Sequence, residues 1–474
     1  MQAVQQPVQQ GRAVTHPQLG GGTLLRTYMG GFEWEVLFDS GRRFRLPARE
    51  FEDGAAIARA ARGAVVNAPA PRAPVLELDQ FRARQTLEAL RLGIVPVQDA
   101  ETLTIGLEAE RVSLDRALAR SKERGGDVQA VIGDYGFGKS HFVELAARRA
   151  LRENFLVANA SLDLVEAPPG KAREIYRALA RSVRYPDTDE RGLQPLLKRA
   201  VDHSGLPAAM LERSPIPGYD PLALALRALA DCPSQVAYDD VVAWLGAQAR
   251  PTAEMRACFK KPPTLWTTGE VARQYIYILT GLSVLATELG YSGLAVLIDE
   301  SEHYSLLRAA QRGRADAFFK GMIYAAVGNA NGKVDPRSIP DHARVEYPIT
   351  FATDPHLFFL FALTESANRM PVDLWLAPAQ IIRLDDRFIE RDIRVFFETL
   401  LRYHTLAFGY AAAPDRYNEV SASAPGLLSR TLAEHRVNLR EVIRTAVTLC
   451  DLLYLHADYS PEAVLGELRK GLRL

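Results

Sequence analysis

Gly133-Asp134-Tyr135-Gly136-Phe137-Gly138-Lys139-Ser140 is the stretch on which the reading of this chain turns. It is a complete G-x-x-x-x-G-K-[ST] phosphate-binding loop. An apolar run, Val128–Ile132, enters it, and a helical pattern, His141–Glu153, leaves it. In that setting successive backbone N–H groups of the Gly-rich turn form a nest for an anion. The helix N-terminus at His141 adds the positive end of its dipole. Lys139 is placed to reach β- and γ-phosphates, and the Ser140 hydroxyl to bind Mg²⁺. The competing reading is a Gly-rich turn followed by a solvated lysine. The strand before, the helix after and a second motif weigh against it.

That second motif lies far downstream. Leu294–Ile298 (Leu-Ala-Val-Leu-Ile) is a short, wholly apolar run of the kind that forms a buried strand of a parallel sheet. It ends in Asp299-Glu300. An aspartate at the carboxyl end of such a strand can hold the Mg²⁺ shell beside Ser140, and the adjacent glutamate can orient and deprotonate an attacking water. Alone, an acidic pair after an apolar strand reads as ordinary strand-end polarity. With a full phosphate loop it reads as nucleotide hydrolysis, with ATP and Mg²⁺ as the implied cofactors.

The 474 residues suffice for two or three domains. Lys plus Arg equals Asp plus Glu at 57 each, so any surface for nucleic acid must be a local patch. Three widely spaced cysteines, Cys232, Cys258 and Cys450, form neither a disulfide framework nor a metal-ligand pattern, which suits a reducing cytoplasm. No secretory signal opens the chain, and no apolar run is long enough to span a membrane.

The organisation expected is α/β. Residues 1–18 are polar and turn-rich and read as a disordered tail. Residues 19–60 carry three short strands, Thr23–Met29, Glu33–Phe38 and Arg42–Leu46, enough for a small SH3-like or Tudor-like β-barrel. A Pro/Ala linker fills 61–76. An ATPase core with a large helical insertion runs over 77–384 and contains the strands Leu357–Leu363 and Gln380–Leu384. A helical lid occupies 385–474, with segments Phe388–Leu401, Leu427–His435, Leu439–His456 and Pro461–Leu472. Arg42-Arg43-Phe44-Arg45 and Lys260-Lys261-Pro-Pro-Thr-Leu-Trp266 interleave charge with aromatics, as nucleic-acid contacts do, though a solvated strand face and a loop anchor are the competing readings.

The motifs carry a family resemblance. Thr104-Ile-Gly-Leu-Glu-Ala-Glu110 precedes the phosphate loop where AAA+ and initiator-type ATPases have a Gly-Arg-x-x-Glu box, with Leu107 in the arginine position. Arg84–Leu92 followed by Gly93-Ile-Val, the phosphate loop itself, and Gly290-Tyr-Ser-Gly-Leu-Ala-Val-Leu-Ile-Asp-Glu-Ser-Glu302 together resemble the ATP-binding proteins of BREX-type phage-defence loci. The resemblance implies an AAA+-like core with a C-terminal lid, working as an oligomer with DNA, a helicase or other defence-system proteins. It also implies roles for single residues. Thr364, at a strand end, matches the polar sensor, the alternative being a turn-forming threonine. Arg440 matches the lid arginine that reaches the γ-phosphate, the alternative being a helix-surface arginine. Arg369 lies where a trans-acting arginine finger would be, with Arg383, Arg387 and Arg391 close by. A second class stays open: a STAND-type signalling NTPase whose N-terminal module binds a protein.

Overall fold

A computed structural model describes residues 11–28, 33–47, 50–51, 78–259, 261–265, 272–328, 333–341, 345–366, 368–384, 390–410, 418–419, 421–426, 428–429, 438–456, 458–460, 463–464 and 466. The chain divides into two compact units, Met1–Leu78 and Asp79–Leu474.

The first unit is an antiparallel meander of β1 (Ala13–His16), β2 (Gly20–Tyr28), β3 (Glu33–Phe38) and β4 (Arg43–Pro47), in that order. Strand β1 corrects the expectation of a disordered tail over 1–18. Val14 and His16 alternate inward there, 3% and 8% exposed, which gives a polar-looking segment a reason to pair. Residues 1–10 lie outside the described residues, as does the expected linker at 61–76. Leu24, Trp34, Val36, Phe38 and Phe51 complete a small core. Among the described residues β1 and β4 do not pair, and the four strands form an antiparallel sheet. On β4, Phe44 is exposed between Arg43 and Arg45, while Lys260 and Trp266 lie outside the described residues.

The second unit is built on a five-stranded, wholly parallel sheet. Its strands are β5 (Gly126–Gly133), β6 (Leu156–Ser161), β7 (Leu294–Asp299), β8 (Leu357–Thr364) and β9 (Ile381–Leu384), in the order β6-β7-β8-β5-β9. Strands β5, β7 and β8 are buried almost end to end, which is why they read as unbroken apolar runs. Alternate residues feed two faces. Val131, Leu297 and Leu360 meet helices α2 (Glu108–Arg124) and α3 (Lys139–Arg152). Val296, Phe359 and Phe361 meet, across the other face, α4 (Ala172–Ser182), α10 (Ala272–Glu288) and α11 (Ala309–Val327). Between β6 and β7, α4 is followed by α5 (Gln194–Asp202), α6 (Leu206–Glu212), α7 (Pro221–Ala230), α8 (Gln235–Leu245), α9 (Ala253–Cys258) and α10, a long helical insertion. There Cys232 and Cys258, far apart in sequence, bring their free thiols to 3.2 Å.

A third cluster is helical. Helix α1 (Leu78–Leu92) packs Ala83, Leu87 and Leu90 against Phe397 and Leu400 of α13 (Glu390–Phe408) and against Val442 and Ala446 of α14 (Leu439–Leu455). So α1, assigned by sequence to the sheet core, shares its core with the C-terminal helices. The short α12 (Val372–Trp375) precedes β9. Expected helices at Leu427–His435 and Pro461–Leu472 fall largely outside the described residues. Among the described residues no helix is long and apolar enough to cross a membrane.

Candidate nucleotide site

The phosphate loop joins the end of β5 to the start of α3. Gly136 and Gly138 hold φ of 84° and 87°, a region glycine enters without steric cost. Gly136 is doubly constrained, because a Cβ there would lie 2.6 Å from Cγ of Asn438. Lys139 is buried at 7% exposure. Its Nζ donates to the carbonyls of Gly133 at 3.1 Å and Asp134 at 3.0 Å. Burial lowers its pKa, opposed by the charges of Glu302, Asp299 and Asp134. The ammonium thus rests on loop carbonyls that a phosphate can replace.

Asp299 ends β7, level with Ser161 of β6. It accepts a hydrogen bond from the Ser140 hydroxyl and one from the Glu300 N–H at 2.8 Å. Its pKa is raised, chiefly by burial, with Glu300 and Glu302 adding repulsion against those two hydrogen bonds. Glu300 has φ 57° and ψ 32°, a left-handed conformation uncommon outside glycine and concentrated at functional sites. The chain turns sharply there into a 3₁₀ segment, Ser301–Leu306, leaving Glu300 exposed and Ser301 buried.

Strand β8 lies between β5 and β7, and its register sets Thr364 beside Gly133, the first residue of the loop. The Thr364 Oγ1 is buried without a hydrogen-bond partner. Across the loop, α14 is capped by Asn438, whose side chain accepts from the Glu441 N–H at 3.1 Å. Arg440 follows. Its Nη1 donates to the Tyr135 hydroxyl at 2.7 Å, and its guanidinium sits 5.0 Å from that ring's centre. One cavity is lined by Tyr135–His141, Asp299, Glu300, Glu302 and Arg440.

Its far wall is apolar: Leu90, Ile94, Leu103, Ile105, Leu107, Leu439 and Ile443. Leu107, in the position of the box arginine, is held at φ 69° just before α2. Behind this wall His141 meets the Thr104 hydroxyl at 2.9 Å. Removal from water, with Arg111 nearby, brings its pKa down to about 4 against the backbone of Ala100, so the ring is neutral at pH 7.

The structure therefore brings together the whole loop, Asp299, Glu300 and Arg440, with Thr364 at the loop's edge. It does not bring Arg369 there. That guanidinium donates to Glu365 at 2.9 Å, to Asp373 at 2.6 Å and to the Met370 carbonyl at 3.1 Å. Arg383 bridges the same two carboxylates. Sequence reasoning gave no role to Glu302, Asn438 or the apolar wall. Only Glu302 had a local signal, its spacing from Asp299-Glu300.

The residues fit a nucleotide with its Mg²⁺. Lys139 and the loop N–H groups suit the phosphates, Ser140 and Asp299 the metal, and the apolar wall a base. The buried Oγ1 of Thr364 and Oε2 of Glu302 have no protein partner. Among the described residues no group of three or more His, Cys, Asp or Glu could hold a metal by itself. Mg²⁺ at phosphate sites draws on one or two side chains plus phosphates and water.

A parallel α/β sheet with a phosphate loop at one strand end and an acidic pair two strands away defines an ATPase-like, nucleotide-binding core. Residues 78–204 match the family described as BREX system ATP-binding protein BrxC/D. That match bears out the resemblance read from the motifs, and over this segment the chain is similar to the BREX ATP-binding proteins. It spans α1, the phosphate loop, α3 and α4, and stops short of Asp299, Thr364 and Arg440. Comparison with curated proteins gives no match.

Proposed function

We propose that this chain is an AAA+-type, Mg²⁺-dependent ATPase subunit of a cytoplasmic, DNA-directed BREX-like defence assembly, working as an oligomer with a helicase or other defence-system proteins. One observation carries the reading: phosphate loop, acidic strand end and helical-lid arginine line a single cavity. In this reading Lys139 and the loop amides grip the phosphates, with Ser140 and Asp299 holding Mg²⁺. Bound Mg²⁺ supplies charge neutralisation at the phosphate oxygens. Glu300, exposed at the rim, accepts the proton of the attacking water. Thr364 orients that water, and Arg440 leaves Tyr135 for the γ-phosphate. Arg383, about half exposed on a shared pair of carboxylates, is better placed than Arg369 to act on a neighbouring subunit. The N-terminal sheet, with Phe44 between Arg43 and Arg45, is the proposed contact to DNA or a partner.

Glu300→Gln tests the reading. The amide keeps shape and removes the base, so nucleotide affinity should hold while hydrolysis falls about 10²–10⁴-fold. Hydrolysis at the parent rate by the purified variant would hand the base role to another residue. Absence of ATP binding by the parent protein in calorimetry would overturn the function itself.

A further inference from the structure

Glu302 is unexplained by the roles above. It follows the acidic pair on the 3₁₀ segment; both glutamates line the cavity, but Glu300 is exposed at its rim while Glu302 is half-buried. Its Oε2 is cut off from solvent and has no hydrogen-bond partner. A buried carboxylate oxygen without a partner is costly, so a cation or donor belongs opposite it. Of the carboxylates acting on Lys139, Glu302 acts most strongly. Once a phosphate draws Lys139 away, Glu302 stands beside Asp299 and Glu300 as a third negative charge without its counter-ion. A cation arriving with the nucleotide meets that need.

We infer that Glu302 is an outer-shell carboxylate for the Mg²⁺ of the bound nucleotide, accepting a hydrogen bond from metal-bound water and so positioning the ion held by Ser140 and Asp299. The inference rests on the nucleotide-site reading and adds a residue to it. It predicts opposite signs with and without metal. Without metal, Glu302 only repels the phosphates. With metal, it anchors the ion's water, and loss of such partners typically costs 10–100-fold in metal affinity.

The experiment is calorimetry of ADP binding, chosen because ADP does not turn over, to the full chain in EDTA and in Mg²⁺. The parent should bind ADP more tightly with Mg²⁺. In Glu302→Gln, binding in EDTA should be unchanged or tighter, while the gain from Mg²⁺ should shrink about tenfold or more. Glu302→Asp, which keeps the charge on a shorter arm, should recover part of that gain, and it serves as the test should the glutamine variant fail to fold. Ser140→Ala should lose the gain and confirms that the assay reports the metal. A full Mg²⁺ gain in folded Glu302→Gln, with Ser140→Ala deficient, overturns the inference and leaves the nucleotide site intact. No ADP binding by the parent overturns both.

Discussion

The phosphate wall of the cavity comes from one continuous strand, loop and helix, residues 126–152, whereas the facing wall is assembled from the end of α1, the segment that links it to α2, and α14, from opposite ends of the second unit. The first rests on a sheet whose central strands are buried nearly end to end. Its loop geometry is set by glycines and by the carbonyls that hold Lys139. The second rests on helix packing and on a polar cluster. In that cluster Arg91 of α1 donates to Asp451 of α14 at 2.8 Å, and Asp451 meets the buried His404 of α13 at 3.1 Å. Phosphate recognition can thus be fixed before a ligand arrives. The facing wall depends instead on three helices staying in register.

The largest expected effect lies in the phosphate wall. Lys139→Ala removes the buried ammonium that a phosphate would meet, and a charge-assisted hydrogen bond contributes about 1.5–3 kcal/mol. Calorimetry should show ATP affinity lower by the corresponding one to two orders of magnitude, with the melting temperature little changed, because the lysine's own partners are only loop carbonyls. Unchanged affinity would mean that the loop is not where the nucleotide sits.

The two walls also differ in how far the sequence discloses them. The loop is local: eight consecutive residues, an apolar run before and a helical pattern after. Asp299-Glu300 was legible because β7 is buried on both faces and therefore reads as an unbroken apolar run. Thr364 was legible as the end of another such run, but its place beside Gly133 is a matter of sheet order, which no run of residues encodes. The apolar wall was hidden for the same reason. Ile94, Ile105 and Ile443 share no periodicity and meet only after α1 packs on α14. Strand β1 was missed because a single valine and a histidine are a weak strand signal, made decisive by pairing with β2. For Arg369, sequence position shows only that an arginine is available, and the fold adds that Glu365 and Asp373 hold it.

A middle-sized effect should come from breaking the helical wall away from any nucleotide contact. Asp451→Ala leaves Arg91 and His404 without their shared carboxylate. The pair is only partly buried, with Arg91 33% and Asp451 26% exposed, so the cost should sit near 1–2 kcal/mol rather than the value for a fully buried pair. Urea unfolding should show that loss. ATP affinity should fall with it, because α1, the segment that follows it and α14 carry the apolar wall and Arg440. A stability loss with full ATP affinity would show that the lid does not help hold the nucleotide.

The smallest effect should belong to Arg440. Its guanidinium is not idle in the free protein: it donates to the Tyr135 hydroxyl and lies over that ring. To serve the γ-phosphate it must give up both contacts. A cation over an exposed aromatic contributes about 0.5–1 kcal/mol, so the net gain on moving to phosphate is a difference of two similar quantities. Arg440→Ala should therefore weaken ATP binding by only about 1 kcal/mol, roughly fivefold, even though a charge-assisted bond is lost. ADP binding should change less, because the group that draws the arginine away is absent. Tyr135→Phe sharpens the point. It keeps the ring and removes the hydroxyl acceptor, so Arg440 is released more easily and ATP affinity should rise slightly, with ADP affinity unmoved. Equal losses for ATP and ADP in Arg440→Ala, measured by calorimetry, would make Arg440 a packing residue of the lid with no view of the γ-phosphate.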